Sequence, residues 1–353
     1  MRALFLTKYG AQGASSRYRA LQYLPSLAAR GWNVEWQPLL PDHYLQELYL
    51  RGQRSVVEVC RAYRKRLAYL CKGDLGSFDA VYVQCELFPY IPAWLESSLL
   101  APAGNLVLDY DDAAFIPYDG RPFLRGKIAS LMRQARAVIV GNDFLSQYAS
   151  RYSERVSVIP TVVDLARYSP REDYECHDEQ GLVIGWVGTP VTARYLSTLA
   201  GTLRRVARDR AVVVRCVGTP AGFSIPGVLV ESVPWSEATE AGIIRTFDIG
   251  VMPLAQEPFA EGKCGLKLIQ YMACGVPAVG AKLGANTEII RHGVDGFLAA
   301  GDEDYVEVIE RLAVDAALRA RVGRAGRRRV EERYSLQARA QEFCNVLERA
   351  ANG

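Results

Sequence analysis

Glu261-Gly-Lys-Cys-Gly-Leu-Lys-Leu-Ile-Gln-Tyr-Met-Ala-Cys-Gly-Val-Pro277 is the stretch from which the rest of the chain can be read. Gly262 and Gly265 leave the backbone bare before an apolar run of helical spacing: Leu266, Ile269, Met272 and Ala273. Gly275 suits the left-handed position that ends a helix, and Pro277 blocks continuation. A helix opening behind a glycine turn presents unpaired N–H groups, which favour an anion. Lys263 and Lys267 stand four apart with Gln270 three beyond, which predicts one helical face carrying all three. Two ammonium groups at a dipole end suit a diphosphate, and an amide one turn deeper suits a pair of sugar hydroxyls. The plain alternative is a buried α/β helix whose lysines are merely solvated.

Working outward, 353 residues favour about two domains. Half the residues are hydrophobic and 23% are charged, so a large core is expected and wholesale disorder is not. A net charge of +3 is too small to argue for nucleic acid. Eight cysteines without a C-x-x-C pair, beside three histidines, give poor zinc or disulfide spacing; reduced thiols and a cytoplasmic location are expected. The opening Met1–Thr7 run is short and interrupted by Lys8, so it reads as a first strand and not a signal peptide. No run approaches the ~18 apolar residues of a spanning helix.

Ala3–Thr7 predicts a buried strand, followed by a glycine loop through Ser16 and a helix over about 17–30 with Ser15 or Ser16 as its cap. Val34–Gln37 predicts the second strand of a βαβ start, hence a parallel sheet with its site at the strands' carboxyl ends. Gly10-x-x-Gly13 is not a dinucleotide fingerprint. Further strands are predicted at 78–84, 105–110, 135–141 and 156–160. The strand over 105–110 runs into Asp109-Tyr-Asp-Asp112, three carboxylates in four residues. Such a cluster suits a cation or a hydroxyl-rich partner, or else is a solvated acidic turn. Residues 51–72 predict a helix with an apolar face of Val56, Cys60, Tyr63, Leu67 and Leu70. Seven basic residues there oppose Glu58 alone, a pattern of peripheral contact with an anionic membrane or of a solvated face.

The charged segment from Thr161 to Gln180, which carries Pro170, predicts the linker, and a second βαβ series opens at Leu182-Val-Ile-Gly-Trp-Val-Gly188. Strands follow at 212–217, 228–231, 247–253 and 277–280, with helices from Tyr305 onward carrying arginines at 319, 321, 324 and 327–329. The fold class expected is α/β, two Rossmann-like domains with a cleft between them, where ligands favour binding.

The block at 262–277, Gly185-Trp-Val-Gly188, Val158-Ile-Pro-Thr-Val-Val-Asp164, Asn286-Thr-Glu-Ile-Ile and Gly293-Val-Asp-Gly-Phe-Leu298 together resemble family 4 glycosyltransferases over nearly the whole chain. The resemblance implies the twin-Rossmann GT-B fold and sugar transfer with retention. It implies a first domain, 1–165, that binds an acceptor (a glycan, a lipid-linked glycan or a small molecule) and a linker over 166–180. It implies a nucleoside diphosphate sugar donor on a second domain, 181–334, with a last helix, 335–353, that can cross back to the first. Two family glutamates are missing: the second position matches Gln270, implied to meet the ribose, and the first falls at Gly262 with Glu261 beside it. Thr189 and Pro190 replace the family's arginine at the turn after Gly188, and Arg194 is the nearest base. Lys263 and Lys267 are then expected to hold the diphosphate without a metal.

Gly13, Gly188, Thr189, Arg194, Glu261, Lys263, Gly265, Leu266, Lys267 and Gln270 are the donor-binding candidates, and Asp111 and Lys267 the catalytic ones. No metal ligand is assigned. The expected activity is transfer from a nucleoside diphosphate sugar to an acceptor hydroxyl. The alternatives are a nucleotide-sugar epimerase and a non-catalytic sugar-nucleotide-binding protein.

Overall fold

The computed structural model describes residues 1–174 and 181–353; the final part of the expected linker, 175–180, lies outside them. The described chain divides into two compact units. Unit 1 comprises Met1–Thr161, Glu261–Cys264 and Arg339–Gly353; unit 2 comprises Val162–Ala260 and Gly265–Ala338. The motif quoted above therefore contributes to both.

Six parallel strands build the sheet of unit 1: β1 (Arg2–Tyr9), β2 (Asn33–Leu40), β3 (Ala80–Gln84), β4 (Leu106–Tyr110), β5 (Ala137–Val140) and β6 (Val156–Val158), in the order β2-β1-β3-β4-β5-β6. Ala3–Leu6, Val81–Val83 and Leu106–Leu108 are almost wholly buried, as expected of strands covered on both faces. Phe343, from the last helix (Leu336–Asn352), stacks on Tyr23 at 4.0 Å and packs at a tilt against Phe5 and Tyr82.

Two helical expectations change here. The single helix over 17–30 is a helix at Ala14–Arg19, a 3-10 turn at Leu21–Tyr23 and a second helix at Leu24–Ala29. Pro25 has no N–H for Leu21 and falls at the start of the second piece, which is where proline is tolerated. Neither serine caps: Gly13 precedes the first helix, and Ser16 Oγ accepts from the Tyr9 N–H at 3.1 Å.

The helix expected within 51–72 spans Val56–Lys72, but its inward face is Ala62, Arg66 and Leu70. Val56 (73% exposed), Cys60 and Leu67 (41%) of the expected apolar face point outward. The rotation follows from Arg66, whose guanidinium is buried because it donates to Thr7 O at 2.9 Å and Gln37 O at 2.7 Å.

Unit 2 repeats the architecture with β7 (Leu182–Val187), β8 (Val212–Val217), β9 (Leu229–Val233), β10 (Ile249–Met252), β11 (Ala278–Ala281) and β12 (Phe297–Ala299), all parallel, in the order β12-β11-β10-β7-β8-β9. Residues 166–174, expected as linker, are packed on this unit: Tyr168 Oη donates to Glu240 at 2.7 Å and Arg319 donates to Tyr174 O at 2.8 Å. The arginine-rich stretch is likewise structural in large part. Arg319 also donates to Leu312 O, Arg327 to Ala273 O at 2.6 Å, and Arg329 to Ile289 O at 2.7 Å and Glu288 O at 2.7 Å. Each guanidinium satisfies carbonyls at helix and loop ends that would otherwise be orphaned. A side chain at Gly323 would place its Cβ 2.0 Å from Gly275 O, so the helix Ala316–Arg329 lies backbone to backbone on the turn that ends the motif helix.

Candidate functional site

In unit 2 the strand order reverses between β7 and β10. These two strands pair at Ile249 with Ile184 and Gly250 with Gly185. Beyond them Tyr271, from the motif helix Leu266–Ala273, inserts its hydroxyl, accepting from Val187 N at 3.0 Å and reaching Val251 O at 3.3 Å. Such a reversal is where open parallel sheets collect ligands, at the carboxyl ends of the strands. The loops that leave those ends begin with Gly188 after β7 and lead to Gly265 after β10.

Gly188 is bare for a physical reason. A Cβ there would lie 2.2 Å from the Trp186 ring and 2.7 Å from Thr192 Oγ1. The buried Trp186 ring in turn carries Lys267, whose Nζ stands 5.5 Å from the ring centroid, within cation–π range. Gly265 occupies the left-handed region at φ 63 and precedes the helix, so Leu266 and Lys267 lie in its first turn. Gly188, Leu266 and Lys267 are thus brought to one edge of unit 2. Thr189 sits in the same turn, its N–H donating to Thr192 Oγ1 at 3.0 Å.

One donor-site expectation is corrected, and the surroundings of two further candidates are defined. Lys263 does not share a helical face with Lys267 and Gln270, because the positive φ of Gly265 starts the helix after it. Lys263 and Glu261 belong to unit 1, where the Lys263 ammonium lies 3.8 Å from Asp112. Arg194 is 65% exposed and lies 3.1 Å from Glu257 and 2.9 Å from Tyr195, the partners a diphosphate would have to displace. Gln270 is 2% exposed and donates to Tyr168 Oη at 2.8 Å, within a buried chain that runs on through Glu240 to the Trp235 indole. Any ribose hydroxyl would meet a side chain whose orientation this chain already fixes.

In unit 1 the reversal falls between β1 and β3, and the side chains gathered at those carboxyl ends are Ser15, Ser16, Gln84, Cys85 and Asp111. Gln84 Oε1 accepts from Ser16 at 2.8 Å, its amide donates to Ser15 at 2.6 Å, and Ser15 Oγ donates to Asp111. Cys85 is one of two non-glycine residues at positive φ among the described residues, and its thiol is 4.0 Å from Asp111. Strain of that kind persists where the surroundings impose it. Gly13 closes the loop after β1, packed so tightly on Tyr9 that a Cβ would lie 2.4 Å away.

The acidic cluster does not act as a unit. Asp109 is fully buried, bound by Arg19 at 2.8 Å and by the Tyr82 hydroxyl at 2.9 Å. Burial pushes its carboxyl up to about 6 against the opposing pull of Arg19. Asp109 is therefore removed from any cation or acceptor role, while Asp111 faces the β1–β3 edge. The segment Glu261–Cys264 is held in this unit by Asn142, which donates to Gly262 O at 3.1 Å, and by the Cys264 thiol on Asp111 O at 3.1 Å. Gly262 tolerates no side chain, since its Cβ would meet Ala113 at 2.6 Å. Trp186, Gln84 and Cys85 were missed because a residue inside or just past a strand carries no mark of facing a site.

Residues 182–315 match the sequence pattern of the family described as "Glycosyl transferases group 1". A D-inositol 3-phosphate glycosyltransferase of Nocardiopsis dassonvillei is 29% identical over 233 residues, covering 57% of this chain and 53% of that protein. The chain spans about half the length of the curated relatives it matches, 47% and 53% of two of them. Among solved structures, sucrose-phosphate synthase from Thermosynechococcus elongatus superposes with a TM-score of 0.72 at 17% identity, over 99% of each chain. HepE of Anabaena, solved in complex with UDP-glucose, gives 0.71 at 16% identity over 99% of this chain and 100% of that one. These likenesses agree with the two six-stranded Rossmann-like sheets: the solved structures share the GT-B fold, and the match to the glycosyl transferase group 1 pattern covers 182–315.

Proposed function

We propose that this chain transfers a sugar from a nucleoside diphosphate sugar to an acceptor hydroxyl, with retention of the anomeric configuration. One observation carries the reading: Gly188, Trp186 and Lys267 meet at the strand-order reversal of unit 2, at the first turn of the helix Leu266–Ala273. Departure of the nucleoside diphosphate builds negative charge on its outer phosphate. In this reading the positive end of the helix dipole and the Lys267 ammonium stabilise that charge, an effect largest where water is excluded. With this cation supplied by the chain, the reaction proceeds without a bound metal. Unit 1 handles the acceptor, whose attacking oxygen Asp111 orients.

Lys267→Ala is the direct test. Loss of one charge-assisted bond to phosphate is expected to cost about 1.5–3 kcal/mol, read as a ten- to hundredfold lower kcat/KM for the donor. An unchanged donor KM and kcat would remove Lys267 from the site. Product analysis in the same assay separates transfer from epimerisation, since an epimerase changes the donor with no acceptor present.

A second feature supports an acceptor at a membrane surface. The outward stripe of Val56, Cys60 and Leu67 on the helix Val56–Lys72 runs beside exposed Arg61, Arg64 and Lys65. Apolar residues flanked by cations suit a headgroup layer of anionic lipid. No helix among the described residues is long and apolar enough to cross a membrane, so this contact is peripheral. Flotation with phosphatidylglycerol vesicles should carry the protein at low salt and release it at about 0.5 M, where the Debye length falls to a few ångströms. Leu67→Glu, at an exposed position, is expected to abolish flotation. Equal flotation with zwitterionic vesicles, or none at low salt, would return the stripe to the solvent.

A further inference from the structure

Unit 1 has a cavity at the edge of its sheet opposite to Asp111. Arg136 immediately precedes β5 and Arg155 immediately precedes β6, so both stand at the strands' amino ends. The end of the helix Leu336–Asn352 adds Val346, Arg349 and Asn352. Together with Ser157 these residues line a volume of about 550 Å³. No acidic side chain lines it. Among the described residues none of the three arginines makes an ion pair, and the Arg136 Nε is buried without a hydrogen-bond partner. A buried guanidinium N–H left unbonded is costly, so most find an acceptor.

The backbone holds two of these arginines in place before any ligand arrives. Arg136 N donates to Leu106 O at 2.8 Å, and Arg155 O accepts from Val138 N at 2.9 Å, both as parts of the sheet ladder. The helix that brings Arg349 is anchored by Phe343 stacked on Tyr23. Gly353 also lines the cavity, beside Arg136; its carboxylate, as the last residue of the sequence, and the half charge of the helix end offset only part of the three positive charges. Arginine forks match phosphate oxygens in pairs, and the volume is within the ~300–1,000 Å³ usual for small-molecule sites.

We propose that this cavity is a second ligand site, for a phosphate monoester or a phosphate headgroup, separate from the donor edge and independent of the transferase reading. The helix end and two strand starts form its walls, and Arg136, Arg155 and Arg349 bind the phosphate.

Titration calorimetry with inorganic phosphate, at constant ionic strength against chloride, tests it. The measurement is made in the Lys267→Ala protein, so that phosphate at the donor helix does not contribute. Saturable binding is expected, weakened at least tenfold in an Arg136→Gln/Arg349→Gln double variant whose circular dichroism and Tm without phosphate match the parent's. Should Arg136→Gln disturb the sheet, Arg155→Gln/Arg349→Gln substitutes for it, since both side chains are exposed. Affinity unchanged by either pair, or an equal response to chloride, would overturn the site. Two further arms identify the source. Glycerol phosphate competing with inorganic phosphate, while vesicle flotation of the double variant stays normal, assigns a soluble ligand. Flotation lost in the double variant assigns a lipid headgroup.

Discussion

Arg19→Met is expected to lower the unfolding free energy by about 3–5 kcal/mol near neutral pH, because it leaves Asp109 fully buried without its cation. The Arg19 guanidinium meets Asp109 through Nε at 2.9 Å and Nη2 at 2.8 Å and donates to Ile159 O at 2.7 Å. It thereby ties the first helix to β4 and to the segment after β6. The pH dependence has a definite sign. The folded-state carboxyl of Asp109 already titrates at about 6, above its ordinary 3.8, and without Arg19 it rises further. A group whose folded pKa is raised contributes its stability at low pH and loses it as pH rises through that folded value. The deficit of Arg19→Met should therefore be smallest near pH 4.5, start to grow above about pH 6 at ~1.4 kcal/mol per unit, and still be growing at about pH 8, until the variant's higher value is passed. Urea unfolding near pH 4.5 and at about pH 8 checks this, and Arg19→Met/Asp109→Leu should recover much of the loss, as an apolar replacement of both partners is often neutral. A deficit below about 1 kcal/mol, flat with pH, would show that the pair is dispensable.

Asp111→Asn is expected to reduce kcat by roughly a hundredfold or more, about 2.7 kcal/mol of transition-state stabilisation, if its carboxylate acts as a base toward the acceptor hydroxyl. The substitution keeps shape and retains an oxygen that can accept from Ser15. The fold should survive, and the variant's Tm is the control. Asp112→Asn serves as the comparison, since Asp112 lies 3.8 Å from the Lys263 ammonium and 44% exposed. A loss under tenfold at Asp111 would reduce its role to placing the substrate. A larger loss at Asp112 than at Asp111 would move the reacting carboxylate one residue along the chain.

The sheets were legible because parallel strands buried on both faces are written as unbroken apolar runs, such as Leu182–Val187 and Val212–Val217. β12 was not read as a strand, since Phe297–Ala299 is too short to show a run. Gly275 and Pro277 marked the motif helix's end correctly. Its start depended on a backbone angle at Gly265 that composition does not reveal, and with it went the pairing of Lys263 with Lys267. Asp109, Asp111 and Asp112 look equivalent in a row of letters. Their separation into a buried ion pair, an edge carboxylate and a surface partner of Lys263 depends on Arg19, which lies 90 positions away. The helix 56–72 presents a face different from the one its apolar letters suggest. A buried arginine satisfied by carbonyls outweighs a few valines, and periodicity cannot register that.

The guanidinium clamps on Ala273, Glu288 and Ile289 have a consequence for motion. Local opening of the motif helix's carboxyl-terminal turn must break the Arg327 bond at 2.6 Å and separate Gly323 from Gly275, besides unwinding the helix itself. Amides of 272–276 should therefore exchange with solvent close to the slowest limit of unit 2, where opening approaches global unfolding. The amino-terminal turn, with Lys267, is then the end of a rod fixed at its far end. A ligand arriving there meets donors already in place, and the ordering entropy that a loose phosphate loop would lose on binding is lost instead during folding.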